Sequence, residues 1–429
     1  MDKLRIVGGT TLSGRVSISG AKNASLPIMA ASILSDNPLT LKNLPHVADI
    51  LSMANLLATL GVKLTMEGCG EGENAQGKVI TFDASSLNSV VAPYDLVRKM
   101  RASILVLGPL LARTGYAKVS LPGGCAIGAR PVDLHLKAME KLGAEIEIDK
   151  GYVSAKAPNG LVGADINFPI VTVGGTENAL MAAVLAEGRT RLINAACEPE
   201  IEDLANCLNT MGAKIEGVGT SELIIDGVES LSSATHRIIP DRIETGTYLI
   251  AGAITRGSII LENTCLEHLS FFVDKLREIG VIIKEKEDKV YVSANKKELR
   301  CVDITTAPYP GFPTDLQAQT MSLLCTVTGK SSIRENIFEN RFMHVPELIR
   351  MGAKISLDNH TASIEGGKLH GAEVMATDLR ASVSLVLAAL SADKEETLIN
   401  RIYHLDRGYE RIESKIRTLG AKIDRLKGS

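Results

Sequence analysis

The sequence predicts an α/β fold in which six copies of one supersecondary unit form two domains of three copies each. A five-residue pattern occurs six times: an apolar residue, then Gly, then Ala or Val, then any residue, then Ile or Leu. Its glycines are spaced by 82, 69, 68, 72 and 68 residues. Each copy follows a helical stretch, which indicates a helix that ends at glycine and continues as a strand. Six units are too many for one hydrophobic core, so 429 residues predict two domains.

The six copies of this pattern are Leu60-Gly61-Val62-Lys63-Leu64, Leu142-Gly143-Ala144-Glu145-Ile146, Met211-Gly212-Ala213-Lys214-Ile215, Ile279-Gly280-Val281-Ile282-Ile283, Met351-Gly352-Ala353-Lys354-Ile355 and Leu419-Gly420-Ala421-Lys422-Ile423. The first spacing is longer than the others. We interpret the acidic, glycine-rich stretch 67–77 as an inserted hairpin loop that accounts for the extra length. A seam between the two domains is expected near residues 232–241.

A second set of helices, strongly apolar, alternates with the first. The stretch 382–390 is apolar nearly all round, which indicates a buried helix, whereas 134–142 is amphipathic. Each repeat is therefore expected to hold one buried helix, one surface helix and several short strands. The buried helices begin near Lys22-Asn23-Ala24, Arg101-Ala102-Ser103, Thr176-Glu177-Asn178, Glu244-Thr245-Gly246, Asp315-Leu316-Gln317 and Leu379-Arg380-Ala381.

Composition excludes several classes of function. The 47 Lys and Arg against 50 Asp and Glu leave a net charge of −3, which argues against nucleic acid as a partner. No apolar run reaches the length of a membrane span, and the amino terminus lacks an apolar signal region. Seven cysteines without a Cys-x-x-Cys motif predict a cytoplasmic protein without a disulfide framework or zinc site, and the sequence indicates neither metal nor cofactor.

The starts of the buried helices point to an anionic ligand. Several carry a cationic or hydrogen-bonding residue in the first turn, such as Lys22, Asn23, Arg101 and Arg380. Helix amino termini attract anions through free N–H groups and the helix dipole. If three starts converge in each domain, a positive cleft between the domains would hold a phosphorylated ligand without a P-loop, which the sequence lacks.

Residues 121–134 form the most unusual stretch, because glycines surround Cys125 and Arg130 follows five residues later. A nearby cation lowers the pKa of a thiol and makes it reactive. The alternative is a solvent-exposed loop with an incidental cysteine. The run Arg130-Pro131-Val132-Asp133-Leu134 then leads into an amphipathic helix.

Two further residues invite both a structural and a functional interpretation. Asp315 follows a proline-rich approach to a helix and is either an ordinary acid of the first turn or a general base. Lys22 is either solvated or functional, and its place at the positive end of a helix dipole favours function. Arg341, Arg380 and Arg407 lie beside apolar helices and suit anion binding, whereas His404 is more easily explained as structural.

Five motifs identify a family. They are Gly20-Ala21-Lys22-Asn23-Ala24, Pro122-Gly123-Gly124-Cys125-Ala126-Ile127-Gly128-Ala129-Arg130-Pro131-Val132-Asp133-Leu134, Pro313-Thr314-Asp315-Leu316-Gln317-Ala318-Gln319, Glu339-Asn340-Arg341-Phe342-Met343-His344-Val345-Pro346-Glu347-Leu348 and Asp406-Arg407-Gly408-Tyr409-Glu410-Arg411. With these motifs the chain resembles the UDP-N-acetylglucosamine 1-carboxyvinyltransferase family over nearly its whole length. That family has an inside-out α/β barrel of two three-repeat domains with helices inside. The resemblance implies an amino-terminal domain at 22–235 and a second domain formed by 1–21 with 236–429.

The resemblance also implies a reaction: transfer of the enolpyruvyl group of phosphoenolpyruvate to the 3′-hydroxyl of UDP-N-acetylglucosamine, through a tetrahedral ketal. It makes Cys125 the proton donor on a lid loop and the target of fosfomycin, and Asp315 the base. Phosphoenolpyruvate would contact Lys22, Asn23, Arg130, Arg380 and Arg407, of which Lys22 and Arg407 also serve catalysis. Arg341 would order the site.

The nucleotide sugar would contact residues from several segments. Phe168 to Val171, the residues just before Thr172, differ from family versions that carry a lysine there. The implied contacts are Asn23, Arg101, Arg130, Pro131, Val132, Asp133, Leu134, Thr172, Val173, Gly174, Asp315 and Ile337.

Three other interpretations compete with this one. The shikimate-pathway enolpyruvyl transferase shares the architecture, but the Cys125 loop and the Arg-Pro-Val-Asp-Leu run count against it. A cyclase acting on RNA ends is disfavoured by the balanced charge and the aromatic content of 3%. A degenerate copy that only senses ligands would be expected to lack Cys125, Lys22, Asp315 or Arg407, and all four are present.

Overall fold

The computed structural model describes residues 1–67, 77–98, 100–121, 132–294 and 298–428. In chain order its strands are β1 (Lys3–Val7), β2 (Ser13–Ser17), β3 (Leu39–Leu44), β4 (Lys63–Glu67), β5 (Lys78–Asp83), β6 (Val91–Ala92), β7 (Tyr116–Ser120), β8 (Glu145–Asp149), β9 (Tyr152–Lys156), β10 (Asp165–Asn167), β11 (Arg189–Ile193), β12 (Lys214–Glu216), β13 (Glu222–Asp226), β14 (Ala234–Arg237), β15 (Ser258–Glu262), β16 (Ile282–Lys286), β17 (Lys289–Ser293), β18 (Asp303–Thr305), β19 (Lys330–Arg334), β20 (Lys354–Asp358), β21 (Thr361–Glu365), β22 (Glu373–Met375), β23 (Glu396–Asn400) and β24 (Lys422–Leu426).

The α-helices are α1 (Lys22–Ala31), α2 (Ala48–Thr59), α3 (Tyr94–Val97), α4 (Leu107–Thr114), α5 (Asp133–Lys141), α6 (Val173–Ala183), α7 (Pro199–Thr210), α8 (Arg242–Ile254), α9 (Ser270–Ile279), α10 (Gln317–Leu324), α11 (Val345–Arg350), α12 (Leu379–Ser391) and α13 (Ile412–Thr418). Short 3₁₀ segments occupy Ser32–Leu34, Arg101–Val106, Glu267–Leu269, Thr314–Leu316 and Ile402–Arg407.

The described strands form six sheets of four strands, all with the same topology. Their orders are β14-β3-β5-β4, β6-β7-β9-β8, β10-β11-β13-β12, β16-β17-β15-β2, β18-β19-β21-β20 and β22-β23-β1-β24. In each sheet an edge strand runs parallel to its neighbour, as in β10 with β11, and the other two pairs are antiparallel. In four of the sheets the two parallel strands are consecutive in the chain and the buried helix of the repeat connects them, whereas β3 and β15 take their parallel partners, β14 and β2, from distant parts of the chain.

The first two strands complete sheets whose other strands lie in the second half of the chain. Strand β1 pairs with β23 and β24, and β2 runs parallel to β15. Conversely, β14 supplies the parallel edge strand beside β3. The chain therefore passes twice between two groups of three repeats.

The described residues divide into two compact units, unit 1 (within 1–19 and 240–429) and unit 2 (within 20–239). The backbone N–H of Asp241 donates to Ser19 O within unit 1, and that of Ala21 donates to Ile239 O within unit 2. These two bonds explain why the divisions fall before Gly20 and after Ile239, a few residues from the boundaries at 22 and 236 that the resemblance implies.

Each unit has a core of its own, and three helices lie within it. In unit 1, α8, α10 and α12 pack against one another, and α12 is buried at nearly every position from Arg380 to Leu390. The corresponding helices in unit 2 are α1, α4 and α6. Strands such as β1 alternate buried and more exposed residues, so the sheets cover the helices from outside. This confirms the predicted α/β class with helices inside.

The six pattern glycines all end a helix as predicted. Their φ angles are +100° (Gly61), +94° (Gly143), +105° (Gly212), +109° (Gly280), +89° (Gly352) and +97° (Gly420). In this left-handed region a residue with a Cβ is strained, so glycine closes the helix and lets the next strand begin.

One buried helix differs from its expected form. The segment from Arg101 begins as the 3₁₀ turn Arg101–Val106, and α4 starts only at Leu107. Pro109 has no N–H to donate, and in an α-helix its ring would clash with the carbonyl of the residue four positions earlier. The α-helix therefore begins late enough that Pro109 lies in its first turn. The inserted loop expected at 67–77 connects β4 with β5, but its residues 68–76 lie outside the described residues. Within the described ranges, no helix is both long and apolar enough to cross a membrane.

The closing glycines give a direct test of this backbone geometry. We expect Gly420→Ala to lower the free energy of unfolding by about 1 kcal/mol, because a Cβ at φ +97° is strained although nothing lies within 4 Å of it. Gly367→Ala in the same unit is the control, since Gly367 also has open space but no positive φ. Urea denaturation of the two variants measures the difference, and equal stability would contradict the account.

Candidate functional site

In unit 1 the candidate residues lie at the amino-terminal ends of buried helices. Asp241 caps α8 by accepting the N–H groups of Ile243 and Glu244, at 2.8 and 2.9 Å. Asp378 caps α12 in the same way by accepting from Arg380 and Ala381, at 2.8 and 3.0 Å. Asp315 lies in the 3₁₀ turn that leads directly into α10.

Two arginines converge on one oxygen of Asp315. Arg341 donates through Nη2 to Asp315 Oδ1 at 2.5 Å, and Arg380 donates through Nε to the same atom at 3.1 Å. Both guanidinium groups are buried, whereas the Asp315 side chain keeps 30% of its exposure. Charge-assisted hydrogen bonds of this kind are short and strong. The structure thus brings together three residues that the sequence singles out at positions far apart.

These contacts fix the charge of the carboxylate. Burial by itself raises the pKa of Asp315, but the charges and hydrogen bonds of Arg380 and Arg341 outweigh burial and hold that pKa well below its usual range. Burial lowers the pKa of Arg380, and the charge of Asp315 more than compensates, so it lies above the usual range. The cluster is therefore a carboxylate between two guanidinium ions at all ordinary pH values.

Tyr409 is a partner of this cluster that has no assigned role from the sequence. Its hydroxyl lies 3.4 Å from Arg380 Nη1 and 3.0 Å from Thr247 Oγ1. Gly408 makes this approach possible, because a Cβ there would lie 2.8 Å from a methyl carbon of Leu379. Arg407 therefore ends its 3₁₀ turn close to the start of α12.

Glu335 organises the loop around Asp315 and Ile337, and no sequence pattern marks it as a candidate. This buried carboxylate accepts hydrogen bonds from the hydroxyls of Thr306 and Thr314, both at 2.8 Å. It also accepts the backbone N–H groups of Ile337 at 2.8 Å and Phe338 at 3.3 Å. The Phe338 ring in turn lies 5.4 Å from the Arg341 guanidinium carbon. This one acidic side chain thereby positions Asp315 and Ile337, two residues that are expected to contact the nucleotide sugar.

In unit 2, Lys22 begins α1 and has an acidic neighbour. Its Nζ lies 3.3 Å from Asp49 Oδ2, with both side chains largely buried. Asp49 belongs to the first turn of α2, so it compensates a cation that the α1 dipole disfavours. Asn23 follows on α1, and Pro27 has no N–H to donate to the carbonyl of Asn23. Asp49 is a second residue that the sequence did not point to.

Asn178 joins the segments of unit 2 that are expected to bind the nucleotide sugar. Its side chain accepts the N–H of Gly108 at 2.7 Å and donates to Ile104 O at 3.0 Å, beside the turn that Arg101 begins. It also lies 3.1 Å from His135 Nδ1 on α5. Asn178 is itself on α6, so one buried amide links α4, α5 and α6.

The same junction brings two predicted segments together. Val132 is the buried residue that precedes α5, and Asp133 and Leu134 form its first turn. Thr172 caps α6 by accepting the N–H of Gly175 at 3.3 Å, and Val173 and Gly174 follow. A Cβ on Gly174 would lie 2.9 Å from His135 Cε1, so glycine permits this contact between α5 and α6.

Three predicted residues, Cys125, Arg130 and Pro131, lie outside the described residues. His404 is half-buried, and burial together with the charge of Arg407 lowers its pKa, which suits a structural role. Within the described ranges, no group of three or more His, Cys, Asp or Glu side chains is arranged to hold a metal ion.

The chain is similar to known proteins along its whole length. The family model for EPSP synthase (3-phosphoshikimate 1-carboxyvinyltransferase) matches residues 6–416. A UDP-N-acetylglucosamine 1-carboxyvinyltransferase of Paramagnetospirillum magneticum is 58% identical over 428 residues, covering 100% of this chain and 99% of the relative. A protein of the same name from Rhodospirillum centenum is 59% identical over 430 residues, again covering 100% and 99%.

Solved structures are also similar to the chain along its whole length, at lower sequence identity. The enolpyruvyl transferase NikO from Streptomyces tendae superposes with a TM-score of 0.89 at 26% identity, covering 100% of this chain and 99% of that one. An EPSP synthase from Acinetobacter baumannii gives a TM-score of 0.75 at 16% identity over the full length of both chains, a likeness of fold.

The shared carboxylate predicts how stability depends on pH. At pH 7 we expect Asp315→Asn to lower the free energy of unfolding by about 3 kcal/mol, because it leaves two buried guanidinium ions uncompensated. Because the pKa of Asp315 is depressed in the folded state, its carboxylate stabilises the fold fully above the unfolded-state pKa of about 4. That stabilisation is lost as the pH falls further towards the folded-state pKa. The gap between parent and variant should therefore narrow below about pH 4.

Denaturant unfolding at pH 7, 5 and 3 measures this gap. Asp358→Asn, which changes an exposed aspartate at the tip of the β20–β21 hairpin, is the control for loss of a surface carboxylate. A gap for Asp315→Asn that stays constant with pH would contradict the assigned ion pairs.

Proposed function

Because the chain belongs to the EPSP synthase family, we propose that it transfers the enolpyruvyl group of phosphoenolpyruvate to the 3′-hydroxyl of UDP-N-acetylglucosamine and releases phosphate. The observation that carries this proposal is full-length identity of 58% and 59% with relatives named for this reaction. The reaction begins the synthesis of peptidoglycan precursors. The proposed enzyme works in the cytoplasm on two small molecules, without a cofactor.

The addition step uses two proton transfers. The 3′-oxygen of the sugar forms a bond to C2 of phosphoenolpyruvate while C3 of its methylene group takes a proton, which gives the tetrahedral ketal. Cys125 is the proposed donor of that proton and Asp315 the proposed acceptor of the hydroxyl proton. In the elimination step C3 returns a proton to the Cys125 thiolate, the bond from C2 to the phosphate oxygen breaks, and phosphate leaves with the proton that Asp315 took from the hydroxyl.

The geometry of Asp315 supports a role towards a hydroxyl group. Among the described residues, both arginines donate to Oδ1 and none donates to Oδ2, and the side chain remains partly exposed. Oδ2 can therefore accept a hydrogen bond from the 3′-hydroxyl. Its low pKa makes Asp315 a weak base while both arginines hold it, so its basicity must rise during the reaction.

Arg380 provides a way to raise that basicity. Its Nε donates to Asp315 and its Nη1 to Tyr409, while Nη2 donates to no acceptor among the described side chains. In the proposed complex Nη2 binds the carboxylate of phosphoenolpyruvate. When Arg380 also binds a second anion, it stabilises the Asp315 carboxylate less, and the pKa of Asp315 rises. The donor substrate would thus activate the base that deprotonates the acceptor.

Three cations are proposed to serve the phosphate and the ketal. Lys22, Arg130 and Arg407 are the proposed phosphate contacts, and they stabilise the charge that develops as phosphate leaves. Asn23 at the start of α1 is a further contact to phosphoenolpyruvate. The lid loop around Cys125 would close over the bound nucleotide sugar and exclude water from the ketal.

The nucleotide sugar is proposed to bind along helix starts and the Glu335 loop. In unit 2 the contacts are Arg101, Arg130, Pro131, the first residues of α5 and Thr172 to Gly174 at α6. Asn178 and His135 hold three of these segments together. In unit 1, Ile337 and Asp315 are contacts, with Arg341 ordering the carboxylate.

Phosphate release tests the proposed function. We expect release from phosphoenolpyruvate only when UDP-N-acetylglucosamine is present, and a fall of at least about 100-fold in Cys125→Ser, because a general acid typically contributes that much. Cys197→Ser, which changes a half-buried thiol of unit 2, should retain the parent rate.

Release that depends on shikimate 3-phosphate instead would assign the chain to the activity of its more distant relatives. Binding of the nucleotide sugar without release of phosphate would indicate a sensor. Either result contradicts the proposed transferase.

The Glu335 loop predicts an effect on one substrate. Glu335→Gln replaces one accepting oxygen with an amide nitrogen, which cannot accept the bonds that hold Ile337 or Thr314. We expect the KM for UDP-N-acetylglucosamine to rise about tenfold, the equivalent of one lost charge-assisted hydrogen bond, and the KM for phosphoenolpyruvate to change less. Steady-state kinetics beside Glu365→Gln, an exposed hairpin glutamate, measures this, and an equal rise in both KM values would contradict it.

A further inference from the structure

Tyr409 is the point at which several buried polar groups of unit 1 meet. Its side chain is 3% exposed, and its hydroxyl lies 3.0 Å from Thr247 Oγ1, 3.4 Å from Arg380 Nη1 and 3.4 Å from Gln319 Nε2. The guanidinium carbon of Arg380 is also 5.8 Å from the centre of the Tyr409 ring. A phenol in this position contacts Arg380 through both its oxygen and its face.

The directions of these hydrogen bonds are determined by chemistry. Arginine and the amide nitrogen of glutamine only donate, so the Tyr409 oxygen accepts from Arg380 and Gln319. Its own proton is then directed to Thr247 Oγ1, whose proton goes to Ile243 O at 2.8 Å. Gln319 Nε2 also lies 3.4 Å from Thr247 Oγ1, so the amide contacts both hydroxyl groups of the network.

The network also reaches the backbone of the candidate base. Gln319 Nε2 donates to the carbonyl oxygen of Asp315 at 2.8 Å, while Arg380 Nε donates to the Asp315 carboxylate. Tyr409 is thus connected to Asp315 by two routes, one through Gln319 and one through Arg380. Burial raises the pKa of Tyr409 despite the nearby charge of Arg380, so the phenol keeps its proton and does not itself exchange one.

We propose that Tyr409 is a positioning residue whose hydroxyl fixes the Arg380 guanidinium relative to Asp315 and so presents Nη2 to the carboxylate of phosphoenolpyruvate. This inference rests on the proposed function. Without the hydroxyl, Arg380 keeps its bond to Asp315 but can rotate about it, because Nη1 loses its acceptor. The carboxylate of the donor substrate then meets a guanidinium group that is no longer pre-organised.

Tyr409→Phe removes the hydroxyl and keeps the ring beside Arg380. We expect the KM for phosphoenolpyruvate to rise about tenfold, the KM for UDP-N-acetylglucosamine to stay within twofold, and kcat to change little. A contact made equally in the ground state and the transition state affects KM and not kcat. The assay is phosphate release, with each substrate varied at saturation of the other.

Tyr248→Phe is a matched control on the neighbouring helix. Tyr248 is 1% exposed, and its hydroxyl is buried without a hydrogen-bond partner among the described residues. Loss of that hydroxyl should leave both KM values unchanged.

Thr247→Val provides a second variant, because it removes the acceptor of the Tyr409 proton while keeping the shape of the side chain. It should raise the KM for phosphoenolpyruvate by a smaller factor, and the double variant with Tyr409→Phe should be no worse than Tyr409→Phe alone. Thr247→Val keeps the inference testable if Tyr409→Phe does not fold.

The outcomes separate this inference from the function on which it rests. If the parent protein releases no phosphate with the nucleotide sugar, the proposed function fails. If the parent is active and Tyr409→Phe behaves like Tyr248→Phe, or both KM values rise equally, the positioning role of Tyr409 is overturned. A lower melting temperature with unchanged KM values would show that Tyr409 only stabilises the fold.

Discussion

One oxygen atom, Oδ1 of Asp315, accepts hydrogen bonds from two buried arginines, and the candidate site of unit 1 depends on this interaction. Two guanidinium ions with little solvent would repel each other without the carboxylate between them. Arg341 reaches it from the loop that Glu335 organises, and Arg380 from the first turn of α12. The electrostatic balance of this cluster therefore determines how two separate segments are placed.

The architecture explains why the candidate residues gather at helix starts. Helices within a core expose almost no side surface, so polar groups on them are less costly when they are paired or placed at the ends. In unit 1, Asp241 and Asp378 satisfy the free N–H groups of α8 and α12. In unit 2, Thr172 does the same for α6, and Asn178 satisfies backbone groups of the neighbouring helix. The ends of the buried helices are therefore rigid places on which a site can be built.

Much of the fold was predictable because its signals are local. A glycine that ends a helix is visible in a five-residue pattern, and the φ angles of Gly61 and Gly420 confirm it. The 3₁₀ start at Arg101 was missed because it depends on Pro109, eight residues later. Likewise, cations at helix starts were visible, and the structure joins Arg380 and Arg341 at Asp315.

The supporting residues were not predictable, because each acts on partners remote in sequence. Glu335 binds Thr306, and Asn178 contacts a backbone carbonyl 74 residues away. Asp49 gives no signal in the sequence, because an acidic residue in the first turn of a helix is common. Their roles follow from distances, which no local pattern encodes.

A crystal structure of the Cys125→Ser variant with UDP-N-acetylglucosamine tests the central claim, that Asp315 faces the reacting hydroxyl, most directly. The account predicts the 3′-hydroxyl within hydrogen-bond distance of Asp315 Oδ2, with Arg341 and Arg380 still on Oδ1. A sugar bound with its 3′-hydroxyl directed away from Asp315 would contradict it.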